Sequence, residues 1–141
     1  MKDIHDKIEA VTVIAAEVLD ADNTPSAIDR INWEAAELVL HIGAGGITFD
    51  ADNKIEFKLT HSDDDSSYTA VTAYDLVGSP TVGTGGVIKS LTAAHAAATV
   101  EQFGYIGNKR YLKLLADFSG THATGTLIYA DLIKGRPHYA S

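Results

Sequence analysis

The chain has no cysteine, so disulfide stapling and thiolate metal sites are excluded from the start. It is also short of positive charge: 11 lysines and arginines stand against 19 aspartates and glutamates, a formal net charge of -8. Phosphate backbones and anionic lipid repel such a chain, which disfavours nucleic-acid or membrane binding as its main role. No apolar run approaches the roughly 20 residues that span a bilayer. The opening MKDIHDKIEA carries both signs of charge and lacks the basic head and uninterrupted apolar stretch of a signal peptide. The expectation is a protein that is cytosolic when made and needs no membrane passage.

Apolar residues are present in ordinary amount, 45% of 141 residues, enough for one domain with a proper core. Their spacing is mostly that of strands. Ile55, Phe57 and Leu59 alternate with Glu56, Lys58 and Thr60, and Leu112, Leu114 and Ala116 alternate with Tyr111, Lys113 and Leu115. Ala36 to Gly43 (AELVLHIG) and Thr124 to Lys134 (TGTLIYADLIK) read as further strands. Shorter ones are expected at Ala27 to Asn32, Tyr68 to Val71 and Val87 to Ile88. Ile4, Ile8, Val11, Ile14 and Val18 recur at helical spacing, yet β-branching favours extension. A short helical start followed by a strand over about residues 10–19 is the compromise. Ala93 to Gln102 has a helical look in its alanines, with extension expected from Thr99. The glycine-rich stretch 78–92 reads as a long excursion. Seven or eight short strands and little helix predict a single all-β domain over 1–141. The expected architecture is an antiparallel β-sandwich or jelly roll with an N-terminal arm at 1–9 and a C-terminal tail at 135–141.

Around Phe103 to Phe118 (FGYIGNKRYLKLLADF) two strand-like halves meet at Gly104 and Gly107. These glycines permit positive φ or a close backbone approach. One face of the second half would carry Leu112, Leu114 and Ala116 into a core, and the other would put Lys109, Tyr111 and Lys113 in water.

Chemical motifs are weak. The six histidines show no metal-ligand spacing, and His41 in an apolar strand reads as a satisfied or edge-facing side chain. No GxSxG elbow supports a serine nucleophile. Asp63, Asp64 and Asp65, or Asp50, Asp52 and Asn53, supply oxygens of the kind calcium takes, but neither set has the spacing of an EF-hand, and a solvated turn is the simpler account. GAGG (43–46) and GTGG (83–86) are followed by strand-like residues and not by the helix a phosphate cradle needs. Lys109, Arg110 and Lys113 with Tyr105 and Tyr111 are split between faces by alternation, unlike a stacking surface for nucleic acid. No catalytic residue, cofactor or metal is expected. A carbohydrate-binding sandwich, with Trp33, Tyr68 or Tyr74 stacking on sugar rings, is the rival from another class.

In order along the chain, MKDIHDKI, AELVLHIG, FKLTHSDDDSSYTAV, the spacing from Ala73 to Gly78, GYIGNKRYLKL and the closing Gly-x-Pro-His resemble a family of small structural proteins of tailed bacteriophages, whose genes sit beside that of the major capsid protein. GYIGNKRY (104–111) is the most specific piece, then the SDD turn (62–64). Arg136 and the long glycine-rich loop at 78–86 depart from the pattern. The resemblance implies a non-enzymatic virion component, a decoration or cement protein on the capsid exterior. Its partners would be the major capsid protein and further copies of itself as a dimer or trimer, with no nucleic acid and no membrane. Ile4, His5, Ile8, Arg136, Pro137, His138 and Tyr139 would form the interface through the two termini. Gly104, Gly107, Arg110 and Tyr111 would shape a structural turn. A head-tail joining or tail protein is the alternative within the same class.

Overall fold

The computed structural model describes residues 3–138. It is an all-β sandwich. After a 3-10 turn at His5–Lys7, the strands are β1 (Ile8–Leu19), β2 (Ile28–Asp29), β3 (Trp33–Ile42), β4 (Lys54–Ser62), β5 (Thr69–Ala70), β6 (Val87–Leu91), β7 (Thr99–Tyr105), β8 (Tyr111–Ser119) and β9 (Thr126–Pro137). One antiparallel sheet, here called A, has the order β1-β9-β3-β7. The other, B, has the order β2-β8-β4-β5, with β6 beside β4.

Alternation builds the core. Leu38, Leu40 and Ile42 of β3 and Ile128, Ala130 and Leu132 of β9 point in from sheet A, and Ile55, Phe57 and Leu59 of β4 and Leu112, Leu114 and Ala116 of β8 point in from sheet B, each at most 2% exposed. The two sheets bury their apolar faces against each other, which is why the four strands of sheet A and the five of sheet B hold together.

The sheet edges are managed differently. The loop between β1 and β2 lies along β8, where Asn23 Oδ1 accepts from Ala116 N–H at 2.7 Å, its amide donates to Leu114 O at 3.2 Å, and Asp22 accepts from Phe118 N–H at 2.7 Å. These side chains satisfy backbone groups that a missing strand would leave open. On the far edge of sheet A, β1 is interrupted by register shifts between Thr12 and Ile14 and between Ile14 and Glu17. Such bulges discourage further pairing.

Several expectations change here. The helical spacing at the start gives only the 3-10 turn, because Val11 and Ile14 find their neighbours on β9. Ala93 to Ala98 is not helical: six residues are too few to offset helix nucleation, and the segment is held by Gly45 N–H donating to His95 O at 2.7 Å. The 78–86 excursion ends in an ordered turn, with Gly85 and Gly86 at φ +84° and +87° and Gly86 O accepting from Leu59 N–H. The terminal arms are shorter than expected. Ile8 and Glu9 belong to β1, and Gly135, Arg136 and Pro137 belong to β9, because that stretch pairs with Ile8 on one side and with Trp33 and Ala35 on the other. Pro137 is the last residue of its strand, a place where its missing N–H costs the sheet little.

Candidate interaction surface

The loop after β7 holds the most specific sequence motif, and the structure gives it a structural account. Tyr105, 2% exposed, reaches from sheet A into sheet B, where its hydroxyl lies 2.8 Å from His61 Nδ1 and accepts from Lys109 N–H at 3.2 Å. Both contacts are satisfied when the phenol donates to the unprotonated Nδ1 of a neutral ring. Burial favours that state, holding the His61 pKa below its ordinary value. Arg30 of the β2–β3 turn is nearly as buried and has no carboxylate partner among the described residues. Its guanidinium donates instead to Lys109 O at 3.1 Å, Gly107 O at 3.3 Å and Glu34 O at 3.3 Å, and lies 4.7 Å from the Tyr105 ring centre. Burial lowers its pKa.

Gly107 is small because a Cβ there would fall 2.5 Å from the Tyr105 hydroxyl, and Gly104 because Val77 Cγ2 would lie 2.7 Å away. Neither has positive φ, so close approach is the reason for both. Arg110 forks onto Asp29 at 2.7 and 2.8 Å and covers the Tyr111 ring. This clasp ties β2, β3, β4 and β7 together, and open clefts flank it, one of about 370 Å³ bounded by Glu37, Tyr105, Asn108 and Arg136 and one of about 210 Å³ bounded by His61, Asp64 and Lys109.

The remaining sequence candidates are spread out. Asp50 Oδ1 accepts from the amides of Asp52 and Asn53. Asp64 Oδ1 accepts from Ser62 Oγ, Ser66 N–H and Ser67 N–H, which pulls its pKa down to about 2. Asp63 pairs with Lys109 at 2.6 Å and Asp65 accepts from the Tyr68 hydroxyl. Asp50, Asp64 and Asp65 are turned to their own turns and Asp63 to Lys109, and no group of three or more potential ligands is placed for a metal ion among the described residues. Trp33 stands at the start of β3 under Lys134, Tyr68 lies beneath Lys113 beside sheet B, and Tyr74 is 86% exposed at the β7 edge. The three aromatics considered for sugar stacking do not converge on one site.

The terminal residues do gather at one corner. Ile8 is opposite Gly135, Arg136 pairs with Glu34 at 3.3 Å, Pro137 is opposite Trp33, and His138 N–H donates to Asn32 O at 2.7 Å. His5 begins the adjacent 3-10 turn and Ile4 is 63% exposed beside it. Tyr139 lies outside the described residues.

That corner continues into a surface that no sequence motif marks: the outer face of sheet A. The strand registers place its outward side chains in rows. From the terminal corner these are Ile8, Gly135, Ala35 and Ile106; then Ala10, Ile133, Glu37 and Gly104, with Val77 laid over the glycine; then Thr12, Asp131, Val39 and Gln102; then Tyr129, His41 and Val100; then Val18, Leu127, Gly43 and Ala98. Val18 (65%), Val100 (56%) and Leu127 (41%) are well exposed. His41 and Tyr129 stack flat, centroids 4.2 Å apart, beside a groove of about 270 Å³ bounded by Val100 and Leu127. The rows hold two charges, Glu37 and Asp131, and no lysine or arginine. The sequence carries a partial signal: in TLIYADLI the phase opposite the core residues is still apolar at Leu127, Tyr129 and Ile133, as in a strand covered on both sides, whereas in AELVLHI that phase holds Glu37, Val39 and His41.

No protein-family profile matches the chain, and no curated protein is similar to it in sequence. Among solved structures it is similar to the SPBc2 prophage-derived protein YomS, with a TM-score of 0.48 and 11% identity over 91% of this chain and 93% of that one. It is also similar to a chain of Bacillus endospore appendages, described as a novel family of disulfide-linked pili, with a TM-score of 0.39 and 12% identity over 93% of this chain and 89% of that one. At this level of likeness, function rests on the chain's own residues. No helix among the described residues is long and apolar enough to cross a membrane.

Proposed function

We propose that this chain is a non-enzymatic structural protein of a virion, a capsid decoration or cement protein that seats the outer face of sheet A and the adjoining terminal corner on the outside of the phage head. The partner is the major capsid protein, the protein is made in the host cytoplasm, and further copies join it as a dimer or trimer. The single observation that carries this reading is the largely apolar outer face, which approaches the size of the largest apolar patch on a typical monomer, a patch that is often functional. The sequence resemblance to small phage structural proteins supplies the identity of the surface it covers.

The size of the face suits the role. Strands about 4.8 Å apart and about 3.3 Å of rise per residue make it roughly 20 by 30 Å. That is about 600 Å², short of the roughly 800 Å² each partner contributes to a standard interface. A contact of this size is modest alone and becomes strong where many copies act on one particle. The chain's acidity limits aggregation of those copies on a particle exterior.

Co-sedimentation with mature capsids and with unexpanded procapsids of the same phage tests the proposal. Saturable pelleting with mature shells is expected. Absence of pelleting with either shell would overturn it and move the assignment to a head-tail or tail component.

A further inference from the structure

The two carboxylates on the outer face of sheet A are unlike the other acids on the sheet faces. On the outer face of sheet B, Glu56 pairs with Lys54 at 3.4 Å and Asp117 with Lys58 at 2.5 Å. Across the edge, Glu101 of β7 pairs with Lys89 of β6 at 3.2 Å. Glu37 and Asp131 have neither an ion pair nor a hydrogen bond among the described residues, and both are half-buried: Asp131 lies between Thr12 and Val39, and Glu37 between Ile133 and Gly104 on the wall of a cleft that Asn108 and Arg136 also line. Asp131 is opposite Val39, and Glu37 is opposite Ile133, so the two acids are diagonal neighbours on adjacent strands, about 7 Å apart at the backbone. The nearest cations of the chain are engaged elsewhere: Lys134 turns inward to Glu9 at 3.0 Å, and Arg136 pairs with Glu34. The only titratable base in the rows, His41, is stacked on Tyr129.

Covering this face with a purely apolar surface would strand two half-buried charges, which is costly. Covering it with a second copy in the same way would bring four carboxylates together with no lysine or arginine between them. Only a partner that supplies a cation in the middle of an apolar patch relieves both. We infer that the outer face of sheet A receives an apolar protein surface carrying a lysine or arginine seated between Glu37 and Asp131. The inference deepens the proposed function by naming the chemistry of the contact. On this account the acids select the partner, and the surrounding aliphatic side chains supply the contact area. Arginine is the better fit, since its planar fork spans two acceptors that a compact ammonium cannot reach together.

The test compares two double variants that remove the same charge from opposite faces, Glu37→Gln/Asp131→Asn and Glu56→Gln/Asp117→Asn. Each ¹⁵N-labelled protein is titrated with a synthetic peptide of alternating leucine and arginine and with a leucine and glutamate counterpart. The arginine peptide is expected to shift the amide signals of Val39, Tyr129 and Asp131 in the wild type. Binding should weaken about tenfold in the sheet A variant and less than twofold in the sheet B variant, because a lost charge-assisted contact outweighs a change in net charge. Equal weakening in the two variants, shifts spread away from these rows, or equal binding of the glutamate peptide would overturn the inference.

The same variants in the capsid assay separate this inference from the proposed function. Wild-type pelleting that survives Glu37→Gln/Asp131→Asn unchanged overturns the inference and leaves the decoration role standing. Failure of the wild type to pellet removes the decoration role, and the peptide titration then decides the inference by itself. A dimer in sedimentation velocity that Val100→Asp splits would show a second copy covering the face, and would also overturn it.

Discussion

The two outer faces of the sandwich are built from strands of the same kind and could hardly differ more in what they show to solvent. Sheet B presents Lys54, Glu56, Lys58, Thr60, Lys113 and Asp117, with the acids paired to lysines and Lys113 lying 4.3 Å from the Tyr68 ring. It is a face finished by its own chain. Sheet A presents Val39, His41, Val100, Leu127, Tyr129 and Ile133 with two acids that have no ion pair among the described residues. The difference teaches that two sheets with the same inward alternation can carry unlike outward residues. The inner faces of both sheets make the core, sheet B's outer face pairs its own charges, and sheet A's outer face leaves Glu37 and Asp131 without an ion pair among the described residues.

Breaking the joint between the sheets should have the largest effect. Tyr105→Ala removes a fully buried ring and strands His61 and Arg30, so a loss of about 3–5 kcal/mol is expected in chemical denaturation. A loss below about 1 kcal/mol would mean that the two sheets do not depend on the clasp. Next in size, Val100→Asp combined with Leu127→Asp should weaken capsid binding about 100-fold, since it plants charges in the exposed apolar rows. The melting temperature should move little, because both side chains already face solvent. Matched charge substitutions at Thr60 and Leu115 on sheet B should leave binding unchanged, and an equal loss there would erase the distinction between the faces.

Acid should act on the clasp before it acts on the turns. The His61 pKa lies below its ordinary value, so the unfolded chain binds the proton more readily. The stability this provides is therefore complete above about pH 6.5 and declines as pH falls from there toward the folded pKa. His61→Gln should flatten that limb of the stability curve. Asp64 is depressed to about 2, so its share is present above about pH 4 and disappears between there and about 2. The smallest effect is expected on sheet B. Lys58→Met at its pairing with Asp117 should cost at most about 1 kcal/mol, less in high salt, as measured by thermal melts at two ionic strengths.

Much of the fold was legible because alternation is a local property. Ile55-Phe57-Leu59 and Leu112-Leu114-Ala116 declare which side chains go inward whatever they pair with. The terminal segments were harder. Gly135 to Pro137 looks like a tail by composition and becomes strand only because Ile8 and Trp33 flank it, residues more than a hundred positions away. Arg30 carried no signal at all. A lone arginine in a polar turn gives no hint that three carbonyls and a tyrosine ring will enclose it. Of the candidate interface, Ile4, His5, Ile8, Arg136, Pro137 and His138 were legible as ends of the chain, whereas the rows they adjoin were not.

By itself the sequence determined the class of the protein: one all-β domain, acidic, without thiols, with glycines where backbone or side chains crowd at Gly104 and Gly107. Those properties follow from residue chemistry and short-range sterics, which need no partner strand to operate. The tertiary structure decided which strand face became core and which stayed outside, and that Glu37 and Asp131 stand beside each other with no cation paired to either among the described residues. Register between distant strands sets both outcomes, and register is fixed only when the sheets close over a common core.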